Sequence, residues 1–452
     1  MRSVRLHDTA SGQPRALRPR EGRRVGIYAC GPTVYGRIHV GNARPFVTFA
    51  LLARFLEREG YDVTLVANVT DVNDKIYDAA GRMGVASAVL AREMTAAYVA
   101  DTDLLGLGRP DHEPLASETI GRIVELIEAL IARGHAYSVE GDVFFRVRSD
   151  PGYGALSHRS LEAMDQGEGL EGTQRKEHPL DFALWKAHKE GEDTAWEAPW
   201  GRGRPGWHIE CSAMAEELLG LEFEIHGGGS DLGFPHHENE AAQTRCARGR
   251  ELAQVWMHNG MLQLGRDKMA KSIGNVAPLH EVVARHGRDA LVMFFAGAHY
   301  RQPVAFDEAS LAEARARVER VREAGRSLVD GPSPDDMVHW REAFFDALAD
   351  DFNTAAALGH LFEWVREANR RGGGLGRSHL MQMLDMLALG GLLEASEPQP
   401  GAEELELLAR RDAAREQRDF ATADALRDEL RARGWEVRDG AQGARLVWSA
   451  AR

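Results

Sequence analysis

An α/β architecture is what this 452-residue sequence predicts: a parallel-sheet domain split by an insertion, then an α-helical bundle and a small C-terminal domain. Three observations predict it. Near the N-terminus, a short apolar run, a glycine-containing loop, a helix-spaced segment and a second apolar run form a β-loop-α-β unit, of a length that joins parallel strands through a crossover helix. From residue 135 to about 200 the texture breaks into short alternating pieces among Gly, Pro and charged residues, after which ordered patterning resumes. Beyond Phe306 the spacing is almost wholly helical. The divisions expected are 1–118 and 204–306 for the two halves of the split domain, 119–203 for the insertion, 307–393 for the bundle and 394–452 for the last domain.

Taken in order, residues 24–30 (RVGIYAC) read as a buried strand. Phe46, Phe49, Ala50, Ala53 and Leu56 then recur at helical spacing and stop before Gly60, and 62–71 (DVTLVANVTD) reads as the next strand. Helical patterns follow at 85–105 and at 119–133, the second ended by Gly134. Inside the insertion, 142–147 (DVFFRV) alternates like a strand. Residues 204–211 (RPGWHIEC) restart ordered patterning, 212–219 reads as a helix, and 223–226 reads as a strand running into the glycine run 227–231 (GGGSD). A helix at 236–248 is opened by Pro235, a residue suited to a first helical position. Residues 255–264 are extended, 268–275 form a loop, and helical spacing returns at 279–295. Segments 311–328, 340–349, 355–370 and 379–389 supply the bundle, interrupted at 372–374 (GGG). A linker at 394–401 (EASEPQPG) precedes helices at 402–417 and 421–433 and a hairpin containing Trp435 and Trp448.

With 44% hydrophobic residues the chain can bury a large core. No apolar run is long enough to span a bilayer, and the opening MRSVRLHDTASG lacks a signal-peptide core, so a cytoplasmic protein with no membrane partner is expected. Three cysteines make no disulfide framework; Cys30, Cys211 and Cys246 read as thiols or metal ligands in a reducing compartment. A net charge of −14 argues against a surface that coats nucleic acid generally, without excluding a local basic face. Only six of the 55 basic side chains are lysine. That singles out Lys268 and Lys271, close together, as positions that need a compact, flexible ammonium.

Four constellations carry chemistry. His39-Val40-Gly41-Asn42 sits where the first loop feeds a helix; backbone N–H groups and the helix dipole favour a phosphate there, and an imidazole can donate to it. An incidental histidine in a glycine-containing turn is the alternative. Glu240 lies one helical turn after His236, so both face the same way. With Cys30 and Cys211, from strand or turn ends that a parallel sheet can bring together, they form a set suited to Zn²⁺. His208 and His237 are alternative ligands, and Cys246, on another helix face, reads as a buried small hydrophobe. Lys268-Met269-Ala270-Lys271-Ser272 offers two ammonium groups and a hydroxyl able to neutralise a leaving pyrophosphate, without the spacing of a P-loop; a solvated charged loop is its alternative. Gly227 to Asp231 closes a strand where backbone approaches a nucleotide and a carboxylate holds a ribose, or is an ordinary turn.

The order of these features carries a resemblance. HVGN after the first strand and KMAKSIGN after the last resemble the HIGH and KMSKS signatures of class I aminoacyl-tRNA synthetases. With Cys30, GWHIEC and HGGGSDLGFPHHENE added, the chain resembles the cysteinyl-tRNA synthetase family over essentially its whole length. The resemblance implies a Rossmann-like catalytic domain and a role for each matching residue. His39 and Asn42, the outer positions of HIGH, would contact the phosphates of ATP, supplied with Mg²⁺, beside Gly41, Gly227 and Asp231; Lys268 and Lys271 would complete the catalytic set. Cys30, Cys211, His236 and Glu240 match the family's zinc ligands, one ion per chain, which selects His236 over His237 and Glu240 over Glu238. Thr70, in NVTDVNDK, and Trp207 would line a cysteine pocket. Arg415, Phe420 and Asp424 fall in a stretch resembling the anticodon-reading helices. Asn42 replaces the second His of HIGH, Ala270 replaces the first Ser of KMSKS and removes a loop hydroxyl, and Phe420 stands where Trp is often found.

The implied activity is ATP-dependent activation of L-cysteine to cysteinyl-adenylate and transfer to tRNA-Cys by a monomer. The zinc would select thiolate over a serine hydroxyl, because shape alone separates near-isosteres by only ~10–200-fold. Two other readings compete. A cysteine ligase to an aminosugar, of the mycothiol-pathway type, resembles the front half but lacks the full C-terminal extension present here. A non-catalytic tRNA-binding paralogue would have lost His39 or a motif lysine. Residues 403–452 hold ten arginines against eleven acids, so no basic stripe announces RNA. A core position in a helical hairpin is the alternative for Phe420, and a metal that only pins the fold is the alternative for the zinc.

Overall fold

Four parallel strands organise the first of two units, Met1–Leu392; the second is Leu393–Arg452. The computed structural model describes residues 1–161, 164, 173–264, 267–268, 277–393, 400–440 and 443–448. The first unit opens with the hairpin β1 (Arg5–Asp8) and β2 (Gln13–Ala16). Strand β3 (Arg24–Ala29) passes through α1 (Val40–Arg58) to β4 (Asp62–Ala67), and the chain leaves through α2 (Asp74–Met83), α3 (Ser87–Asp103) and α4 (Ile120–Ala132). An antiparallel sheet follows, made of β5 (Ala136–Val139), β6 (Asp142–Phe145), β7 (Phe182–Ala187) and β8 (Gly203–Pro205). Helix α5 (Trp207–Leu219) returns to β9 (Phe223–Gly229), and α6 (Glu238–Arg248) leads to β10 (Ala253–Asn259).

The central sheet runs β10-β9-β3-β4, all parallel, with Ala29 opposite both Ala67 and Gly227. Every residue of β9, and every residue of β3 except Arg24, is buried, as a parallel sheet covered by helices on both faces demands. Chain order reverses between β3 and β9, which places a topological switch point at their carboxyl ends. The antiparallel sheet packs against α4, α5 and α6 through Ile123, Leu126, Phe145, Phe182 and Ile209.

Beyond β10, the strands β11 (Leu262–Leu264), β12 (Asp267–Lys268) and β13 (Val304–Ala305) form a small sheet, with α7 (Leu279–His286) and α8 (Arg288–Ala296) between them in the chain. The helical spacing expected over 279–295 is thus two helices, divided at Gly287, whose φ is +79°. The bundle comprises α9 (Glu308–Gly325), α10 (Val338–Ala349), α11 (Thr354–Arg370) and α12 (Ser378–Met386). In the second unit, α13 (Ala402–Glu416) and α14 (Phe420–Ala432) pack on the hairpin β14 (Trp435–Gly440) and β15 (Gly443–Trp448) through Leu407, Leu426, Leu430 and Trp435. Trp435 meets Trp448 edge to face at 5.1 Å between ring centroids. No helix among the described residues is long and apolar enough to cross a membrane.

Two polar hubs tie the first unit together. Arg44 of α1 is 2% exposed and donates to the carbonyls of Gly260, Met261, His299 and Gln302. Burial pulls its guanidinium down to about 10, and four carbonyl dipoles stand in for a carboxylate partner. Asp351 accepts from the His7 backbone at 2.8 Å, the Tyr300 hydroxyl at 2.7 Å and Arg301, and so joins β1, the chain after α8 and the α10–α11 turn.

Burial alone would raise the Asp351 carboxyl, but the donors from His299, His7, Tyr300 and Arg301 outweigh it and hold the group well below the usual carboxylate range. Its stabilisation is therefore complete above the unfolded aspartate value of about 3.9 and is lost as pH falls below it. Asp351→Asn is expected to cost about 2–3 kcal/mol in urea unfolding at neutral pH. The gap to wild type should stay constant down to about pH 5 and shrink below about pH 4.

Candidate functional site

A cavity of about 590 Å³ opens at the switch point, walled by the chain after β3, the start of α1, one face of α2, and the chain after β9 and β10. Cys30, His39, Gly41, Asn42, Trp207 and Asp231, all singled out from the sequence, line it.

The first turn of α1 is closed on itself. His39 is the N-cap residue; its Nδ1 accepts from the Gly41 N–H at 3.1 Å, and its own N–H donates to Asn42 Oδ1 at 3.1 Å. This reciprocal pair is a capping box in which Asn supplies the returning oxygen. The Val40 N–H donates to Ala277 and the Asn42 N–H to the His39 carbonyl. The leading backbone N–H groups expected to meet an anion are therefore engaged within the fold. What this end offers instead is chemistry from side chains. Because Nδ1 accepts, the imidazole proton sits on Nε2, and the Asn42 amide keeps its NH₂ as donor.

Beside the cap lies a buried cluster of metal-ligating groups. One ligand atom from each of Cys30, Cys211, His236 and Glu240 lies within 4.8 Å of the others; the same holds for Cys30, His226, His237 and Glu240. Cys30 follows β3 directly. Cys211 lies inside α5, whose first residue is Trp207, so the helix starts earlier than the pattern at 212–219 indicates, and Trp207 and Cys211 share a helix face. Gly206 precedes it with no room for a side chain, since a Cβ there would lie 2.0 Å from the Ala183 carbonyl oxygen. His236 belongs to a wide turn, Gly233–His237, and α6 begins only at Glu238, so Pro235 sits within that turn rather than at the start of the helix.

Cys30 Sγ lies 3.9 Å from Cys211 Sγ and 3.7 Å from Glu240 Oε1, and His236 Nε2 lies 3.1 Å from the same oxygen. A tetrahedral ion with bonds of about 2.3 Å to sulfur and about 2.0 Å to nitrogen or oxygen spaces its donors by roughly 3.3–3.8 Å. The donors fit one such ion. Glu240 Oε2 turns the other way, 2.8 Å from His226 Nε2. His237 sits 3.3 Å from Cys30 Sγ through Nε2 and 2.7 Å from His258 through Nδ1. His208, an alternative ligand from the sequence, instead meets His236 Nδ1 at 2.9 Å and belongs to neither set.

Burial pushes the Cys30 thiol well up and Glu240 up to about 7, and pulls His236, His226 and His237 down. These groups are thus poorly suited to carrying charge by themselves. A bound cation supplies the positive charge that lets thiol and carboxyl ionise.

The remaining expectations divide. Gly227 faces the helix layer rather than the cavity: a Cβ there would meet the Phe49 ring at 2.1 Å and the Met257 carbonyl oxygen at 2.6 Å. Gly229 takes its place in the wall, and Phe46, expected among the helix's core residues, lines the cavity. Thr70 is 1% exposed, accepts from Asn68 Nδ2 at 3.3 Å and lies behind the wall, which Thr33, bridged to it, forms. Trp207 stacks on His236 at 4.2 Å. Cys246 is buried among Ile209, Ala213 and Ala242, with its thiol pushed up to about 12. Ala270, Lys271 and Ser272 lie outside the described residues, and of Lys268 only the backbone, in β12, is described.

In the second unit Arg415 pairs with Asp439, and Asp424 is exposed. Phe420, at the first position of α14, is 62% exposed, which excludes a core role in the hairpin. His226, His258, Tyr35, Lys75 and Arg82 belong to the site or its walls and were not singled out from the sequence. A signal existed for the first two: four of the chain's 18 histidines, His226, His236, His237 and His258, fall in one short stretch.

Comparisons with known proteins identify the family. Residues 16–316 match the tRNA synthetases class I (C) catalytic domain, 343–393 the DALR domain, and 397–448 the cysteinyl-tRNA ligase anticodon binding domain. The cysteine–tRNA ligase of Geobacillus thermodenitrificans is 41% identical over 463 residues, covering 98% of this chain and 99% of its own. That of Halorhodospira halophila is 43% identical over 456 residues, with 98% and 99% covered. Among solved structures, Mycobacterium tuberculosis methionyl-tRNA synthetase in complex with methionyl-adenylate superposes with a TM-score of 0.61 at 15% identity, over 82% of this chain and 91% of that one; at that identity the likeness is one of fold.

The two glycines offer a test of the wall. Gly227→Ala is expected to destabilise the first unit by about 3 kcal/mol or more, because the Phe49 ring and the Met257 backbone cannot yield. Gly229→Ala meets only the movable Asp231 carboxylate and should stay within about 1 kcal/mol of wild type in denaturant unfolding.

Proposed function

The chain belongs to the cysteine–tRNA ligase family of class I aminoacyl-tRNA synthetases, and from that membership and the site we propose that it activates L-cysteine with ATP and transfers the cysteinyl group to tRNA-Cys. One observation carries the reading: a buried cluster of sulfur, nitrogen and oxygen donors and an N-terminal helix cap open on the same cavity through Cys30 and His39. The first is suited to a thiol substrate, the second to a nucleotide.

In this reading the His39 Nε2–H and the Asn42 amide hold the ATP phosphates at the start of α1, with the helix dipole behind them. Asp231, beside Gly229, accepts from the ribose. The cysteine carboxylate attacks the α-phosphorus in line, the α–β bridging bond breaks, and pyrophosphate, as its Mg²⁺ complex, carries away the electron pair; Lys268 and Lys271 neutralise that charge. A hydroxyl of the terminal tRNA ribose then attacks the acyl carbon of cysteinyl-adenylate, and AMP leaves. Trp207, stacked on His236, closes the side of the amino-acid pocket and excludes water. Positioning and charge compensation do the catalytic work.

Zn²⁺ is the ion that a Cys₂HisGlu set suits best, held by Cys30, Cys211, His236 and Glu240. Bound there, it supplies a soft Lewis acid that prefers a thiolate over a serine hydroxyl. His226, on the second oxygen of Glu240, and His237, on the Cys30 sulfur, then orient two ligands rather than act as ligands. For the acceptor, the match of residues 397–448 to an anticodon binding domain favours tRNA over an aminosugar. The exposed Phe420 ring is suited to stacking on a base, with Arg415 and Asp424 nearby in the same helical hairpin. A monomer in the cytoplasm completes the proposal.

The test is cysteine-dependent ATP–pyrophosphate exchange, then charging of tRNA-Cys against an aminosugar acceptor. Exchange with tRNA charging is expected; exchange with aminosugar coupling alone contradicts the acceptor assignment. His39→Ala should keep its metal and slow exchange by about 10²-fold. Cys211→Ala should lose the metal, and His237→Gln should keep it. The reverse pattern would assign the ion to the His226–His237 set.

A further inference from the structure

We propose that the face of α2 carrying Lys75 and Arg82, with Tyr35 opposite, receives the single-stranded 3′ end of the tRNA at the moment of transfer. The inference rests on the nucleotide and amino-acid assignments above. Those assignments use the carboxyl ends of β3, β9 and β10: the ATP at the α1 cap and at Gly229–Asp231, the cysteine at Cys30 and its neighbours. The fourth strand, β4, forms the far edge of the sheet, and the connection leaving it carries α2 into the same cavity wall. The reactant those assignments leave without a place is the tRNA end, a polyanion with unstacked bases.

The chemistry of α2 suits it. Lys75, Asp78 and Arg82 are spaced three and four residues apart, so they share one helix face, and all three line the cavity. Both cations are exposed, and among the described residues neither forms an ion pair with a carboxylate. This is unusual in a chain whose arginines are mostly paired, and it leaves two positive charges available at the cavity mouth. Lys75 Nζ stands 5.7 Å from the centroid of the Tyr35 ring, which also lines the cavity. Cations interleaved with an aromatic platform are how single strands are bound without sequence readout: the charges follow the backbone phosphates and the ring stacks a base. A terminal segment common to all tRNAs needs no sequence readout. The cap of α2, Asn73 on the Lys75 N–H at 3.1 Å, fixes where the face begins.

The experiment compares two readouts on the full chain, Lys75→Met, Arg82→Met and the double variant against wild type. One is cysteine-dependent ATP–pyrophosphate exchange without tRNA; the other is charging of tRNA-Cys over a range of salt concentrations. The ratio of charging to exchange is expected to fall at least fivefold in the double variant through a raised KM for tRNA. The dependence of that KM on salt should become shallower by roughly one log unit per log unit of salt, as expected when one or two phosphate contacts are removed. A ratio equal to wild type overturns the proposal: if both activities fall together, the cations serve the ATP phosphates, and if neither falls, the face is solvent. Absence of exchange in the wild-type protein would instead refute the assignment of function itself, so the two failures are distinguishable.

Discussion

Two thiols, a carboxyl and several imidazoles buried together make a demanding constraint, and the catalytic half of the chain is arranged around it. Cys30, Cys211, His236 and Glu240 come from a strand end, a helix, a wide turn and a second helix, and all are nine-tenths buried or more. Burial pushes the Cys30 thiol up and raises Glu240 to about 7, so both groups resist ionisation where they stand. One divalent ion would convert the cluster into a crosslink between β3, α5 and α6. The histidines behind it, His226 on Glu240 and the chain from His237 through His258 to Thr9, leave those ligands little freedom to turn. A thiol substrate entering from the cavity would thus meet a rigid site.

The start of α1 answers to a different constraint. α1 starts where β3 ends, so one loop carries both Cys30 and His39. The cap of His39 and Asn42 consumes the backbone donors usually credited to helix N-termini and leaves side-chain donors in their place. Asn in the second position is therefore no loss: its oxygen completes the cap while its amide remains a donor. Arg44, one turn further on, anchors the same helix to Gly260 and Met261, where the chain leaves β10. Cap, donor cluster and the end of β10 are thereby held in one frame.

Much of this was legible because burial leaves a periodic trace. The spacing over α1, α4, α10 and α11 follows a buried stripe, and β3 is a run of buried residues. The unread elements carry little of that trace. α2 is only ten residues long and its buried stripe is the single turn Ile76, Ala79 and Ala80, and β2 is exposed at all four positions. The true start of α5 was obscured by Trp207, His208 and Ile209, mediocre helix formers, and is imposed by Gly206 fitting against the Ala183 backbone. The ligand residues could be nominated because Glu240 follows His236 by one helical turn, but the choice between His236 and His237 came from resemblance, not from spacing. Gly227 shows the limit most clearly: a glycine beside a nucleotide and a glycine beneath a phenylalanine ring look alike in a sequence, and only the fold separates Gly229 from Gly227. The exposed Phe420 is the same problem reversed, a large apolar residue in a helical hairpin that the core does not use.

The central claim is that the buried ion holds the substrate's sulfur rather than merely pinning the fold. X-ray absorption at the metal edge of the loaded protein, measured with and without L-cysteine, tests it most directly. The account predicts two sulfur ligands in the resting protein, from Cys30 and Cys211, and three when cysteine is present. A sulfur count that stays at two with cysteine saturating would contradict it.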